Sequence, residues 1–202
     1  MYEQYLDYVK NYLIEHEGLI SENPDQTFRS RYEHTKRVLK WLDIISEGMD
    51  VDRDALYLAA VFHDIGYEKS DKGNHGKRGA DILRRFGKEN AFDMELTEKA
   101  AKMIELHSDK SLLGTDISLE LTLLMEADQM DEEGTMRILW DCLVTGKRGA
   151  KDYRDAYDRM MEFKSCMPNK MVTPKASAIW EEKSRLYNEF MRQLKRDLFI
   201  ED

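Results

Sequence analysis

Apolar residues recur three and four positions apart along almost the whole chain, and no segment alternates convincingly with a period of two. That spacing lines one face of a helix rather than one side of a strand, so the pattern predicts an all-α protein. A bundle of about eight helices is expected. The periodic spans run roughly over 2–18, 28–47, 53–66, 75–86, 97–108, 117–130, 134–145 and 151–165, with a long amphipathic stretch at 176–198. All three prolines (Pro24, Pro168 and Pro174) stand in stretches that read as loops, and Asn23-Pro24-Asp25 separates the first two helices. The third helix starts behind Asp52 and is expected to stop at Gly66 as a C-cap, followed by a polar, lysine-bearing loop from Tyr67 to Asn74. With no linker or internal repeat in view, the 202 residues are expected to form a single domain.

Composition narrows the classes of function. The chain is 42% hydrophobic and 35% charged, which suits a globular protein with a real core. Its net charge of −9 argues against nucleic acid as a partner, because neutralising phosphates needs a basic surface. The first residues show no basic leader followed by an apolar segment, and the longest apolar run, Ala55–Phe62, is far too short to span a membrane. A cytoplasmic protein without a membrane partner is therefore expected. Cys142 and Cys166 are widely spaced, which excludes a cysteine-based zinc site and offers no disulfide framework. The 12 methionines read as core filler.

The candidate chemistry lies in histidine and aspartate. His63-Asp64 closes the apolar run Ala55–Phe62. Helical spacing puts His34 on a face with Val38, Leu42 and Ile45, His63 behind Leu56, Ala59 and Ala60, His107 behind Ala100, Met103 and Ile104, and Asp128 behind Leu121, Leu124 and Met125. Each polar residue extends an apolar stripe and should point inward near a helix end. Any one of these histidines could be a core residue bonded to backbone. A buried, unpartnered Asp is costly, and one shared metal ion would satisfy all of these groups together. His75 stands at the expected first turn of a helix, where the dipole disfavours its protonation and free N–H groups attract phosphate. Gly76 and Gly79 beside it would admit another helix or a ligand. His16 belongs to no such pattern and reads as a surface residue.

The order His34, His63-Asp64, Asp128 resembles that of the HD-domain superfamily of metal-dependent phosphohydrolases. Arg31-Tyr32-Glu33-His34 is similar to the family's first metal-binding helix, and Leu58–Gly66 (LAAVFHDIG) to its central segment. His75-Gly76-x-x-Gly79-Ala80 and Ile104–Ser108 (IELHS) resemble the two histidine motifs of its binuclear members, and Glu126–Asp131 (EADQMD) its closing segment. The motif-bearing core runs over about 28–137, and a C-terminal helical extension over about 150–200 resembles a poorly characterised bacterial branch. Ile65–Lys69 departs from the HDxxED pattern of ppGpp hydrolases, and the GYP motif of cyclic-di-GMP phosphodiesterases is absent; both argue against those activities. Asp131 is also followed by Glu132-Glu133-Gly134, where that bacterial branch more usually carries small and apolar residues.

The resemblance implies an HD-domain fold and a phosphohydrolase acting on a small phosphorylated molecule, a nucleotide foremost, through metal-activated water. It places one divalent ion on His34, His63, Asp64 and Asp128 and admits a second on His75 and His107 with Asp64 bridging; with one ion alone, those two histidines become candidates for substrate contact or proton transfer. Nitrogen-rich ligation favours a transition metal, Fe or Mn first, with Co, Ni, Zn and Mg as alternatives. Lys69, Lys72, Lys77 and Arg78 are candidates for substrate phosphate, and Asp131 and Glu126 for orienting the ligands from outside. By family analogy a di-iron oxygenase uses the same ligand types, and a non-catalytic nucleotide-binding sensor is a third reading, against which the intact ligand set argues.

Overall fold

The structure is a computed structural model and describes residues 2–16, 30–68, 73–165 and 171–201. Every regular element among these residues is helical. The helices are α1 (Glu3–His16), α2 (Arg31–Ile45), α3 (Arg53–Phe62), α4 (His75–Glu89), α5 (Met94–Leu106), α6 (Leu119–Met130), α7 (Thr135–Lys147), α8 (Tyr153–Ser165) and α9 (Pro174–Asp197), with a 3-10 turn at Lys110–Leu112. They follow the periodic spans of the sequence, and the ends are set by local caps. The Ser30 hydroxyl accepts from the Glu33 N–H to start α2, and Asp93 accepts from the Leu96 N–H, which begins α5 three residues before the apolar period announces it.

One end differs from expectation in kind. α3 stops at Phe62, and residues 63–66 turn sharply instead of completing the helix. Gly66 is no left-handed C-cap, since it is not among the residues with positive φ. Its lack of a side chain serves a close approach. A Cβ there would lie 2.1 Å from the His75 carbonyl oxygen and 2.5 Å from the Gly79 nitrogen.

α3 occupies the middle of the main core. Ala55, Leu56 and all of Leu58–Phe62 are buried, as expected of a helix apolar on every side. It packs against α2, α5 and α6, whose inward faces supply Val38, Leu42, Ala100, Ile104, Leu121 and Leu124. Each large side chain in this group contributes about 1.5–3 kcal/mol by leaving water. A smaller apolar cluster, Tyr157, Met160, Tyr187 and Met191, joins α8 to α9, while Ala176 and Trp180 near the start of α9 belong to the main core. No helix among the described residues is long and apolar enough to cross a membrane.

Candidate metal centre

Six side chains from five parts of the bundle converge on one buried point. His34 comes from the first turn of α2, His63 and Asp64 from the turn ending α3, His75 from the first residue of α4, His107 from the residue capping α5, and Asp128 from the last turn of α6. Five of them are at most 9% exposed, and the Asp128 side chain is 14% exposed. The His34 Nε2 lies 3.0 Å from Asp128 Oδ1 and 3.3 Å from His63 Nε2. The Nε2 atoms of His75 and His107 are 3.3 Å apart.

Asp64 divides its two oxygens between these pairs. Oδ2 faces the Nε2 atoms of His34 and His63, both at 3.6 Å. Oδ1 faces those of His107 and His75, at 3.5 and 3.7 Å. Two compact donor groups result, His34/His63/Asp128 and His63/Asp64/His107.

The backbone fixes how two of the rings present themselves. The Nδ1 of His63 donates to the Ala60 carbonyl at 2.7 Å, and that of His107 to the Ile104 carbonyl at 2.6 Å. Both histidines cap a helix and use the carbonyl three residues back, an acceptor left open at a helix end. With Nδ1 protonated, each Nε2 carries a lone pair aimed inward. That lone pair then faces an Asp64 oxygen, acceptor against acceptor, in a buried site. A cation between them removes the conflict, so the donor set fits a divalent metal.

His34 is held from behind: its Nδ1 donates to Asp131 Oδ2 at 2.7 Å, and Arg37 donates to both oxygens of Asp131. Burial alone would push the His34 ring down, but its bonds to Asp128 and Asp131 prevail and raise its pKa to about 9. His63 has no such carboxylate partner, and burial brings it down to about 4. Burial opposes the charge on Asp64, yet the His63 ring and the Arg31 guanidinium hold its carboxyl well below the usual range. For Asp128, Lys110 and His34 outweigh burial in the same way.

Arg31 and Lys110 are the cations that the fold brings to this cluster. Arg31 Nη1 donates to Asp64 Oδ2 at 2.9 Å, and its guanidinium lies 3.7 Å over the Tyr67 ring. Tyr67 in turn stacks on His75 at 4.2 Å. Lys110, from the 3-10 turn, donates to Asp128 Oδ2 at 2.6 Å. Arg31 could have been read from sequence, since it precedes His34 by three residues on the same helix face. Nothing periodic announces Lys110.

The basic residues expected around the mouth fare differently. Lys69 and Lys72 lie outside the described residues. Lys77 is exposed and, two positions after His75, sits about 200° round the helix from it. Arg78 donates its Nε to the Gly66 carbonyl at 2.8 Å, which secures the turn of Asp64. Gly76 admits a helix: a Cβ there would sit 2.8 Å from the Ile104 carbonyl oxygen of α5, and this proximity lets His75 meet His107. His16 stacks on Tyr12, away from the cluster.

Glu126 does not turn toward the cluster. Its carboxylate accepts from the backbone N–H groups of Val172 and Thr173 and from the Thr173 hydroxyl, at 2.5, 2.8 and 2.6 Å. Being two residues from Asp128, it points to the opposite side of α6 and anchors the start of α9. Glu126→Ala is expected to cost about 1.5–3 kcal/mol, the range for losing hydrogen bonds to a charged group, with metal per folded molecule unchanged. Urea unfolding combined with metal analysis checks both halves.

A helical bundle closed around an interior histidine–aspartate cluster is the class of protein defined here. The HD domain profile matches residues 31–133, just over half of the chain and inclusive of all six converging side chains, and the chain belongs to that family. Bacillus subtilis YpgQ in complex with ADP is similar in structure over 96% of this chain and 93% of its own, with a TM-score of 0.69 at 19% identity. An HD-superfamily hydrolase of Bacillus thuringiensis aligns over 98% and 97% (TM-score 0.68, 20% identity). A predicted HD superfamily hydrolase from an uncultured Thermotogales bacterium aligns over 98% and 93% (TM-score 0.65, 18% identity). At these identities the likeness is one of fold. No curated protein matches the chain by sequence.

Proposed function

We propose that this protein is a metal-dependent phosphohydrolase acting on a phosphomonoester or phosphodiester of nucleotide type. The observation that carries the reading is the divided carboxylate of Asp64, one oxygen toward each histidine pair. In this reading His34, His63, Asp64 and Asp128 hold one divalent ion, and His75 and His107 share Asp64 with a second. The bound metal supplies the Lewis acidity that activates water and polarises a phosphoryl oxygen. Arg31 keeps Asp64 ionised and correctly turned, while Asp131 fixes the ring of His34. Lys110 neutralises the outer oxygen of Asp128. Lys69, Lys72 and Arg78 retain their proposed role at the substrate phosphate, and the Arg78 Nε also clamps the Gly66 turn. The hydrolase names of the structural relatives support the reaction class, and the ADP complex of YpgQ supports a nucleotide as the ligand class.

The test is metal analysis of freshly purified protein, followed by assays on phosphomonoesters, phosphodiesters and nucleotides under anaerobic conditions. Phosphate release with several metals is expected. Strict dependence on iron and oxygen would identify an oxygenase instead, and nucleotide binding without turnover a sensor.

Metal affinity should also depend on pH in a defined direction. A His34 pKa near 9 means that the metal-free ring is protonated at neutral pH and must release a proton to bind through Nε2. His63, titrating near 4, adds nothing to this window. Affinity is therefore expected to rise about tenfold per pH unit between roughly pH 6 and 8. Calorimetric titration in buffers of different ionisation enthalpy should count close to one proton released per site, and a pH-independent affinity would refute the assignment of His34.

A further inference from the structure

α7 is folded the wrong way round for an ordinary surface helix. Glu133, Arg137, Asp141 and Thr145, spaced four apart, form one stripe, and all of them are buried. Asp141 accepts from the Arg137 Nε at 3.1 Å and from the Tyr187 hydroxyl at 2.7 Å, which locks this polar face against α9. The arrangement is costly, since Arg137 Nη2, Asp141 Oδ1 and Thr145 Oγ1 find no partner among the described residues. The opposite face carries Met136, Leu139 and Leu143, which are 36%, 55% and 38% exposed, with Cys142 and Gly146 beside them. Rotating the helix would bury the leucines and free the polar stripe, yet the fold does not do so.

We infer that the outward face of α7 is a self-association surface, on which the α7 of a second copy packs antiparallel about a two-fold axis. The sequence of the helix suits its own reverse. With the axis near residue 141, Leu139 of one copy meets Leu143 of the other, and Met136 meets Gly146, where a Cβ would have open space. Charge agrees with this direction. Glu132, which is not buried, stands before the start of the helix and the exposed Lys147 at its end, so antiparallel pairing sets the acidic end of each copy beside the basic end of the other. A parallel pair would set like against like.

The size of the surface sets the strength of the contact. Thirteen residues of helix are about 20 Å long, and a contact strip about 10 Å wide buries a few hundred Å² per copy. A standard interface takes about 800 Å² per partner, so the dimer should be weak and concentration-dependent.

Sedimentation velocity of the full chain over micromolar to millimolar concentrations is the test. A reversible monomer–dimer equilibrium is expected, with Leu139→Asp moving its midpoint about tenfold or more to higher concentration. Leu139 is exposed enough for the monomer to tolerate this change, and an unaltered helical circular dichroism spectrum would show it. Lys147→Glu should weaken the dimer, and Lys147→Glu with Glu132→Lys should recover it. A short bis-maleimide should join Cys142 to Cys142, read by peptide mass spectrometry, because antiparallel axes at about 8–10 Å bring the two thiols together. A chain that stays monomeric throughout, or a dimer indifferent to Leu139→Asp and without the Cys142 cross-link, overturns the inference.

Discussion

Asp64→Asn should abolish activity while leaving the bundle folded. The substitution keeps the shape of the side chain and its hydrogen bond from Arg31, but it removes the charge shared by both histidine pairs. A neutral amide cannot bridge two cations, and its nitrogen turns a donor toward rings whose lone pairs point inward. Under the proposed mechanism the loss includes the electrostatic stabilisation of the reacting phosphoryl group, a term worth about 10²–10³ in turnover for one lost interaction elsewhere. Loss of the metal should take it further. The measurement is phosphate release together with metal stoichiometry on protein whose unfolding midpoint is shown to be near wild type. Wild-type turnover in Asp64→Asn would remove the cluster from the mechanism altogether.

Gly66→Ala should produce a large structural effect for a single methyl group. Its Cβ would arrive 2.1 Å from one backbone atom and 2.5 Å from another, and neither the His75 carbonyl nor the Gly79 nitrogen can swing aside as a side-chain tip can. The turn carrying Asp64 and the first turn of α4 must separate, which undoes the approach of His75 to His107. Overpacking in well-ordered regions costs about 1–3 kcal/mol, and backbone collisions at this distance should exceed it. Expected outcomes are a fall of several degrees in melting temperature and, in the proposed two-metal reading, loss of the ion assigned to His75 and His107, seen by thermal unfolding and by metal counting. Substituting Gly146, where a Cβ meets nothing within 4 Å, provides the control for a harmless glycine change.

Much of this architecture is legible because it depends on periodicity. His34, His107 and Asp128 extend apolar stripes whose members are in fact buried, so the direction of each side chain follows from spacing alone. His75 opens α4 at the start of a helix-period run, with Asn74 at the N-cap position but making no side-chain capping bond. Features that depend on where two distant segments meet are not written in any local pattern. Gly66 reads as a helix stop, and its actual role is visible only once α4 lies against it. Lys110 stands in an irregular turn, where no repeat says which way it points. Glu126 looks like a companion of Asp128 in the chain, but two residues along a helix mean opposite directions, and its partners lie 46 and 47 residues onward. The burial of the polar stripe of α7 runs against the usual rule and needed the packing of α9 to appear.

The placement of Glu126 bears on how this protein can be cut. The segment that defines the family ends at residue 133, and every converging histidine and aspartate lies inside it. Excising that segment as a minimal enzyme would strip the Glu126 carboxylate of its three donors, on Val172 and Thr173, and uncover the core surface that Ala176 and Trp180 close. Two residues from Glu126 stands Asp128. Truncation after 133 would thus expose apolar surface beside α6, the helix that carries a proposed metal ligand, and the fragment should aggregate or unfold rather than work alone. The tail closes the core behind α6, on the side away from the cluster, and engineering should retain at least the chain through the first turns of α9.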